Sequence, residues 1–235
     1  MTGVRCHWWW RPGWKPGRRM YTFHVTFGDQ PAVQELAAQA RQKLADLDGL
    51  DLVPDQWLHL TTQGVGFTDE VTDTDLSAII VAARARLAKA SPFVVTLAPP
   101  RVASEGIACG VGPDRALTPA RDALRAAIGE VWGSGLVPEG PEWSPHVSIA
   151  YASADRPGDA FEAALDGLGG ASAAVSAVDL IRLSRDQRAY EWETVARLPL
   201  GEQLQTRGAR CWRYALPRCA DRGAFGHDTH EVRAG

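Results

Sequence analysis

No apolar run in this chain approaches the roughly 20 residues that a bilayer-spanning helix needs, so a membrane-embedded protein is not expected. The opening "MTGVRCHWWWRPGWKPGRRM" has basic residues but no small-residue cleavage site behind an apolar stretch. It does not read as a secretory signal, and the cytoplasm is the expected compartment. Cysteine is scarce: Cys6, Cys109, Cys211 and Cys219 are scattered and form no C-x-x-C, which argues against a disulfide framework. Cys211 and Cys219 with His227 and His230 have residue types that suit zinc, but their spacings are far from the short cysteine knuckle. No metal and no other cofactor is therefore expected. There is no P-loop, no G-x-G-x-x-G opening a helix after a strand, and no G-x-S-x-G. Lysine is nearly missing, with three against 22 arginines. Together with abundant Ala and Gly this reflects GC-rich coding, so the arginines are not read one by one.

What is present is the profile of an ordinary globular protein, 45% hydrophobic and 23% charged over 235 residues. That length suits one large domain or two small lobes. The net charge of −3 hides an asymmetry. Residues 1–20 carry five basic groups and no acid, and residues 201–235 carry six arginines against four acids. With the termini at +5 and +2, the body over 21–200 stands at −10. A polyanion would be drawn to a local basic patch and not to that body as a whole.

Periodicity places the elements. "YTFHVTF" (21–27) alternates and reads as a strand. Pro31 then opens a helical segment that Gly49 ends. "DQWLHLTTQGVGF" (55–67) is strand-like, and 73–90 is a helix with acids first and bases last, as the helix dipole prefers. "PFVVTLAP" and "GIACGVGP" are short strands. Thr118 as a cap with Pro119 in the first turn predicts a helix over 118–133. "HVSIAYA" (146–152) is a strand, 158–169 a helix, and "AAVSAVDLIRLS" and "YEWETVARLPL" two closing strands. Each half thus carries a short strand with His-x-Thr/Ser, then a helix, then two strands, an internal repeat by element order. The expected fold is α+β: two α/β lobes over 21–200, with mainly antiparallel sheets facing across a central cleft. Residues 1–20 form a basic, Trp-rich arm, and 201–235 a loosely ordered tail.

The chain has six histidines, and two share a miniature context, "WLHLTTQG" and "SPHVSIAY". Side chains alternate along a strand, so His59 and Thr61 point the same way, about 6.6–7 Å apart. His146 and Ser148 do likewise. If the lobes face one another, a cleft holds two imidazoles and two hydroxyls. A neutral imidazole can take a proton, a charged one can give one, and hydroxyls can donate to phosphate oxygens. Neither a metal nor a covalent nucleophile is required. For either histidine alone, a satisfied core position is the simpler reading; the matched pair points to chemistry.

At these residues the chain resembles the 2H phosphoesterases, which include the 2'-5' RNA ligase-like proteins and cyclic phosphodiesterases. Their signature is two copies of His-x-Thr/Ser-x with x mostly apolar. The copies here are His59-Leu60-Thr61-Thr62 and His146-Val147-Ser148-Ile149, 87 residues apart. Position 62 departs in being polar, and the second hydroxyl is Ser instead of Thr. The resemblance covers roughly residues 20–200. It implies opening of a 2',3'-cyclic phosphate, on an RNA end or a small cyclic nucleotide, to a 2'-phosphate. It also implies the reverse attack of a 5'-hydroxyl, leaving a 2'-5' linkage. His59 and His146 would be catalytic, with Thr61 and Ser148 on the phosphate; the acid and the base are not distinguished. The rival reading is a module that grips RNA or phosphate in the same cleft without turnover.

Further residues are weighed more lightly. His24 shares a face with Thr22 and Thr26, either solvated or lining the cleft. Gln63 falls on the His59 face by alternation. Tyr151 falls on the face opposite Ser148 in an unbroken strand and reads as packing. In the arm, Arg11, Lys15, Arg18 and Arg19 among four tryptophans could bind phosphates and stack bases, or the indoles could cover a sheet edge. No obligate protein partner and no membrane are inferred.

Overall fold

The computed structural model describes residues 3–140 and 142–201. The predicted 201–235 tail, with Cys211, Cys219, His227 and His230, lies almost wholly outside the described residues. Strand β1 (Gly3–Val4) is followed by β2 (Met20–Thr26), helix α1 (Pro31–Leu44), β3 (Leu50–Leu52), a 3-10 turn at Asp55–Trp57 and β4 (His59–Phe67). Then come α2 (Asp73–Leu87), β5 (Phe93–Leu97), β6 (Arg101–Ala103), β7 (Gly106–Gly112) and α3 (Asp114–Trp132). β8 (His146–Ala152), β9 (Arg156–Pro157), α4 (Asp159–Leu165), β10 (Ala171–Val175), β11 (Ala177–Ser184) and β12 (Glu191–Pro199) complete the order.

The helices form where the sequence gives a stripe and an end signal. In α1, Pro31 supplies the first turn and Val33, Leu36, Ala37, Ala40 and Leu44 are buried at helical spacing. In α2, Thr72 caps by accepting from Asp75 N (3.1 Å), and Leu76, Ile79, Ala83 and Leu87 face inward. Full burial of each Leu or Ile contributes roughly 1.5–3 kcal/mol. α3 starts four residues before the expected Thr118 cap, and Pro119 lies inside it. The reason is that the apolar stripe begins at Leu117, which is 2% exposed; Ala116 N already bonds Pro113 O (3.0 Å). Thr118-Pro119 only imitates a helix start.

Two antiparallel sheets organise the chain. One runs β12-β11-β2-β4, and the other β10-β5-β7-β8-β3 with β6 beside β7. α2 and α3 pack together, α2 against β12 and α3 against β4, while α1 packs on β8 and β10. The fold is the expected α+β arrangement of facing antiparallel sheets, but the halves of the chain do not each build one. β3 leaves the first half to pair with β8, and β11 returns from the second half to pair with β2. "AAVSAVDLIRLS", read as a single strand, is two: the chain changes sheet at Ser176, whose carbonyl accepts from Leu200 N (2.8 Å). Apolar residues continue on both sides of that step, so nothing local marks it.

Candidate active site

β2 and β4 pair antiparallel with Thr26 opposite His59 and His24 opposite Thr61. The register then shifts, because Phe23 pairs with Gln63 and leaves Thr62 as an extra residue in β4. A bulge of this kind breaks the alternation of faces. His59 and Thr61 keep the cleft face as expected, but Gln63 does not. It is fully buried on the face away from His59, where its amide donates to Pro138 O (2.8 Å) and accepts from Arg125 Nη1 (2.9 Å). Gln63 therefore leaves the candidate cleft.

The second motif strand has its own bulge. In the β7–β8 pairing, Ile107 faces Ala150 and Ala108 faces Ser148, so Ile149 is the extra residue. This brings Tyr151 round to the face of Ser148, and both side chains border the same two cavities. The expected opposite-face placement of Tyr151 assumed an unbroken strand, and the bulge overturns it.

The two motif faces meet at a cavity of about 210 Å³ whose walls include His24, His59, Thr61, His146, Ser148 and Tyr151. A second cavity of about 440 Å³ shares His146, Ser148 and Tyr151 with it and reaches Arg11 and Arg101. A larger groove of about 790 Å³ is lined by residues of α2 and α3, mainly small apolar and surface-charged ones, and holds no histidine. The chemistry is concentrated at the smaller cavities.

His59 and His146 are held in the same way. His59 Nδ1 donates to Trp57 O (2.8 Å), and His146 Nδ1 donates to Ser144 O (2.9 Å). A carbonyl only accepts, so each Nδ1 carries a proton and each Nε2 is the nitrogen left outside that bond. Their surroundings differ. His59 is 9% exposed, whereas His146 is exposed. Burial, with the neighbouring His146 charge in the same direction, pushes the His59 pKa down to about 4 against the opposing Trp57 carbonyl bond.

His24 is fully buried beside them, which rules out the solvated reading. Its ring stacks on that of His59 (4.3 Å between centroids, 8° between planes), and its Nε2 lies 3.2 Å from Thr61 Oγ1. Trp192 meets both rings edge-on.

The arm is folded onto the body. Arg18 pairs with Asp69 (2.8 Å) and Glu70 and lies over the Phe67 ring (3.7 Å). Arg11 pairs with Glu105 at the edge of the second cavity. Lys15 is exposed and Arg19 half-buried, and neither borders the two cavities. Trp8 donates to Asp51 Oδ2 (2.7 Å) and Trp14 meets Phe67 edge-on, while Trp9 and Trp10 remain about half exposed. One residue that sequence reasoning passed over is His7, which borders both cavities, stacks on Tyr151 and meets Tyr190 Oη at 3.0 Å. Burial and Arg11 push its pKa down to about 4 despite Glu105. Only its place among the arm's aromatics could have drawn attention to it.

Among the described residues no three His, Cys, Asp or Glu side chains group as a metal site, and no helix is long and apolar enough to cross a membrane.

Residues 30–187, two thirds of the chain, match the family model of the 2'-5' RNA ligase superfamily. The chain belongs to that superfamily. Both histidine motifs lie within the matched span. The crystal structure of TT0787 from Thermus thermophilus has 21% identity and a TM-score of 0.60, over 79% of this chain and all of that one. A crystal structure described as a phosphoesterase has 19% identity and a TM-score of 0.58, over 79% of this chain and 99% of that one. E. coli LigT, solved in complex with 3'-AMP, has 18% identity and a TM-score of 0.55 over the same shares. At such identities the likeness concerns the fold. No curated protein sequence matches the chain significantly. Members of the superfamily are phosphoesterases and ligases, and the chain is an enzyme of this general kind.

Proposed function

We propose that this protein is a metal-independent phosphodiesterase that opens nucleoside or RNA 2',3'-cyclic phosphates to 2'-phosphates by two-histidine acid–base catalysis. The observation that carries this reading is the convergence of His59 and His146, from different sheets, on one cavity with matching Nδ1 bonds. Both Nε2 atoms are then available for proton transfer.

His59 is the base in this reading. Burial keeps its ring neutral, so Nε2 can take a proton from water as the water oxygen attacks phosphorus. The bond from phosphorus to the 3' oxygen breaks, and that oxygen takes the proton of His146 Nε2. His146 is exposed, where water can solvate the imidazolium. Thr61 and Ser148 donate to the non-bridging oxygens, where charge builds in the transition state. The same groups would let a 5'-hydroxyl attack in place of water, with the 3' oxygen again leaving and taking a proton, and form a 2'-5' linkage. The 440 Å³ cavity beside the pair offers room for the nucleoside, and the LigT complex with 3'-AMP makes a nucleotide a reasonable occupant. The expected setting is the cytoplasm.

The test is incubation with nucleoside 2',3'-cyclic phosphates in the presence of EDTA, with products assigned by phosphorus NMR. The 2'-phosphate alone should form. A 3'-phosphate product, or activity that EDTA removes and a divalent ion restores, would overturn the mechanism. Tight binding with no product would favour the module that grips RNA or phosphate without turnover.

A further inference from the structure

A hydroxyl has one proton, and the direction in which it is spent decides whether it can serve a phosphate. Thr61 Oγ1 has a single protein partner at the cavity, His24 Nε2 at 3.2 Å. If Nε2 is bare, Thr61 must donate to it, and its proton is lost to the substrate. If Nε2 carries hydrogen, Thr61 accepts, and its own proton is free to turn toward the cavity.

The accounting of buried groups separates these cases. His24 is fully buried, and burial together with the adjacent His59 holds its pKa well below the usual 6.5, so the ring is neutral and has one N–H. Its Nδ1 is buried with no hydrogen-bond partner. An orphaned buried N–H is the rarer and costlier defect, whereas an unused lone pair is tolerated more often. Asp179, opposite His24 in the β2–β11 register, makes no hydrogen bond to it. Its Oδ2 takes Thr26 Oγ1 (2.8 Å) and Arg197 (3.4 Å), and its Oδ1, buried as well, has no hydrogen-bond partner and does not reach His24 Nδ1. The single hydrogen therefore belongs on Nε2, the tautomer opposite to that of His59 and His146.

We propose that His24 is a positioning residue: its Nε2–H holds Thr61 Oγ1 as an acceptor and aims the threonine proton at a non-bridging phosphate oxygen. The proposal rests on the acid–base reading above for what occupies the cavity. The stack on His59 and the edges of Trp192 fix the His24 ring plane, so the direction is built in before substrate arrives. Ser148 has no equivalent. Its neighbour on the same face is the Tyr151 hydroxyl, which can donate or accept and so sets no direction.

The test has two arms. Long-range proton–nitrogen NMR on the wild-type protein reads which nitrogen of each histidine is protonated. Nε2–H for His24 is expected, with Nδ1–H for His59. Nδ1–H at His24, as a water bridge to Asp179 would impose, overturns the proposal. This arm needs no turnover, so a protein that fails to open cyclic phosphates refutes the catalytic reading while the hydroxyl's direction is still measured. In the second arm, His24→Phe should lower kcat by about 10-fold, the worth of one hydrogen bond, and Thr61→Val by up to about 10²-fold as a lost donor to developing charge, each with KM within roughly threefold. The double variant should be no worse than the worse single one. His24→Gln, whose amide N–H reaches the same place, should recover most of the kcat of a folded protein. Additive losses in the double variant, or no recovery with Gln while its melting curve is intact, would show a merely structural role.

Discussion

The two motif strands carry the same hydrogen bond in different surroundings. On β4, His59 is sealed under His24 and Trp192. On β8, His146 stands at the open edge and Ser148 shares a face with Tyr151. A repeated tetrapeptide presents an Nε2 outside the backbone bond twice. The unlike neighbours bury one ring, which holds it neutral, and leave the other open to water. Similarity of motif brings the groups together, and difference of burial is what the proposed mechanism uses to divide the labour between them.

The sharpest break of this comparison is removal of either ring. His59→Asn and His146→Asn retain a side-chain amide near the backbone carbonyl but lose Nε2. Each should lower kcat/KM on a cyclic phosphate by roughly 10²–10⁴-fold, measured against a melting curve that shows the fold intact. Loss in one variant alone would mean that only one strand is catalytic. The hydroxyls come next: Ser148→Ala should cost up to about 10²-fold as a donor to developing charge. A Ser148→Thr variant should stay near wild type if the motif tolerates either hydroxyl.

Titration sharpens the same contrast. His7 and His59 have folded pKa values of about 4, against about 6.5 for an open chain, and His24 is depressed in the same direction. Between those values the unfolded chain binds protons that the folded chain does not. Stability is therefore full above about pH 6.5 and falls as pH drops toward 4. Each histidine contributes a slope of up to about 1.4 kcal/mol per pH unit. Denaturant midpoints at pH 7 and 5 measure it, and the His59→Asn variant should show a shallower fall. An equal midpoint at both pH values would mean these rings are already protonated in the fold. With His59 as the base, kcat/KM should also hold up well below pH 6.5 on its acid side.

The smallest effects belong to the arm. Lys15→Gln and Arg19→Gln should leave cyclic mononucleotide turnover within a few-fold, because exposed charges contribute little. If the arm touches longer RNA, the salt dependence of oligonucleotide binding should flatten by about one unit of slope per lost phosphate contact. Arg18→Gln should instead lower the melting temperature, since it removes the tie to Asp69 and Glu70.

Much of this was legible in the chain. Alternation in "HLT" and "HVS" put each histidine and its hydroxyl on one face, and helical spacing, charge order and end signals located the four helices of the described residues, α3 by a cap signal that only imitates its start. The bulges at Thr62 and Ile149 were not legible, because an extra residue in a ladder is defined by its partner strand. They decide that Gln63 turns away and that Tyr151 turns in. The sheet change at Ser176 is equally silent, since both sheets bury the same kind of residue on either side of it. His7 reaches the cavity across more than 140 residues to Tyr151 and Tyr190, a closeness that no local pattern encodes.

The division between base and acid is tested most directly with a nucleoside 2',3'-cyclic phosphate carrying sulfur in place of the 3' oxygen. A thiolate leaves without protonation, so an acid is dispensable and a base is not. On this substrate His146→Ala should regain most of the wild-type rate, while His59→Ala should remain slow. Rescue of His59→Ala instead, or equal loss in both variants, would contradict the assignment.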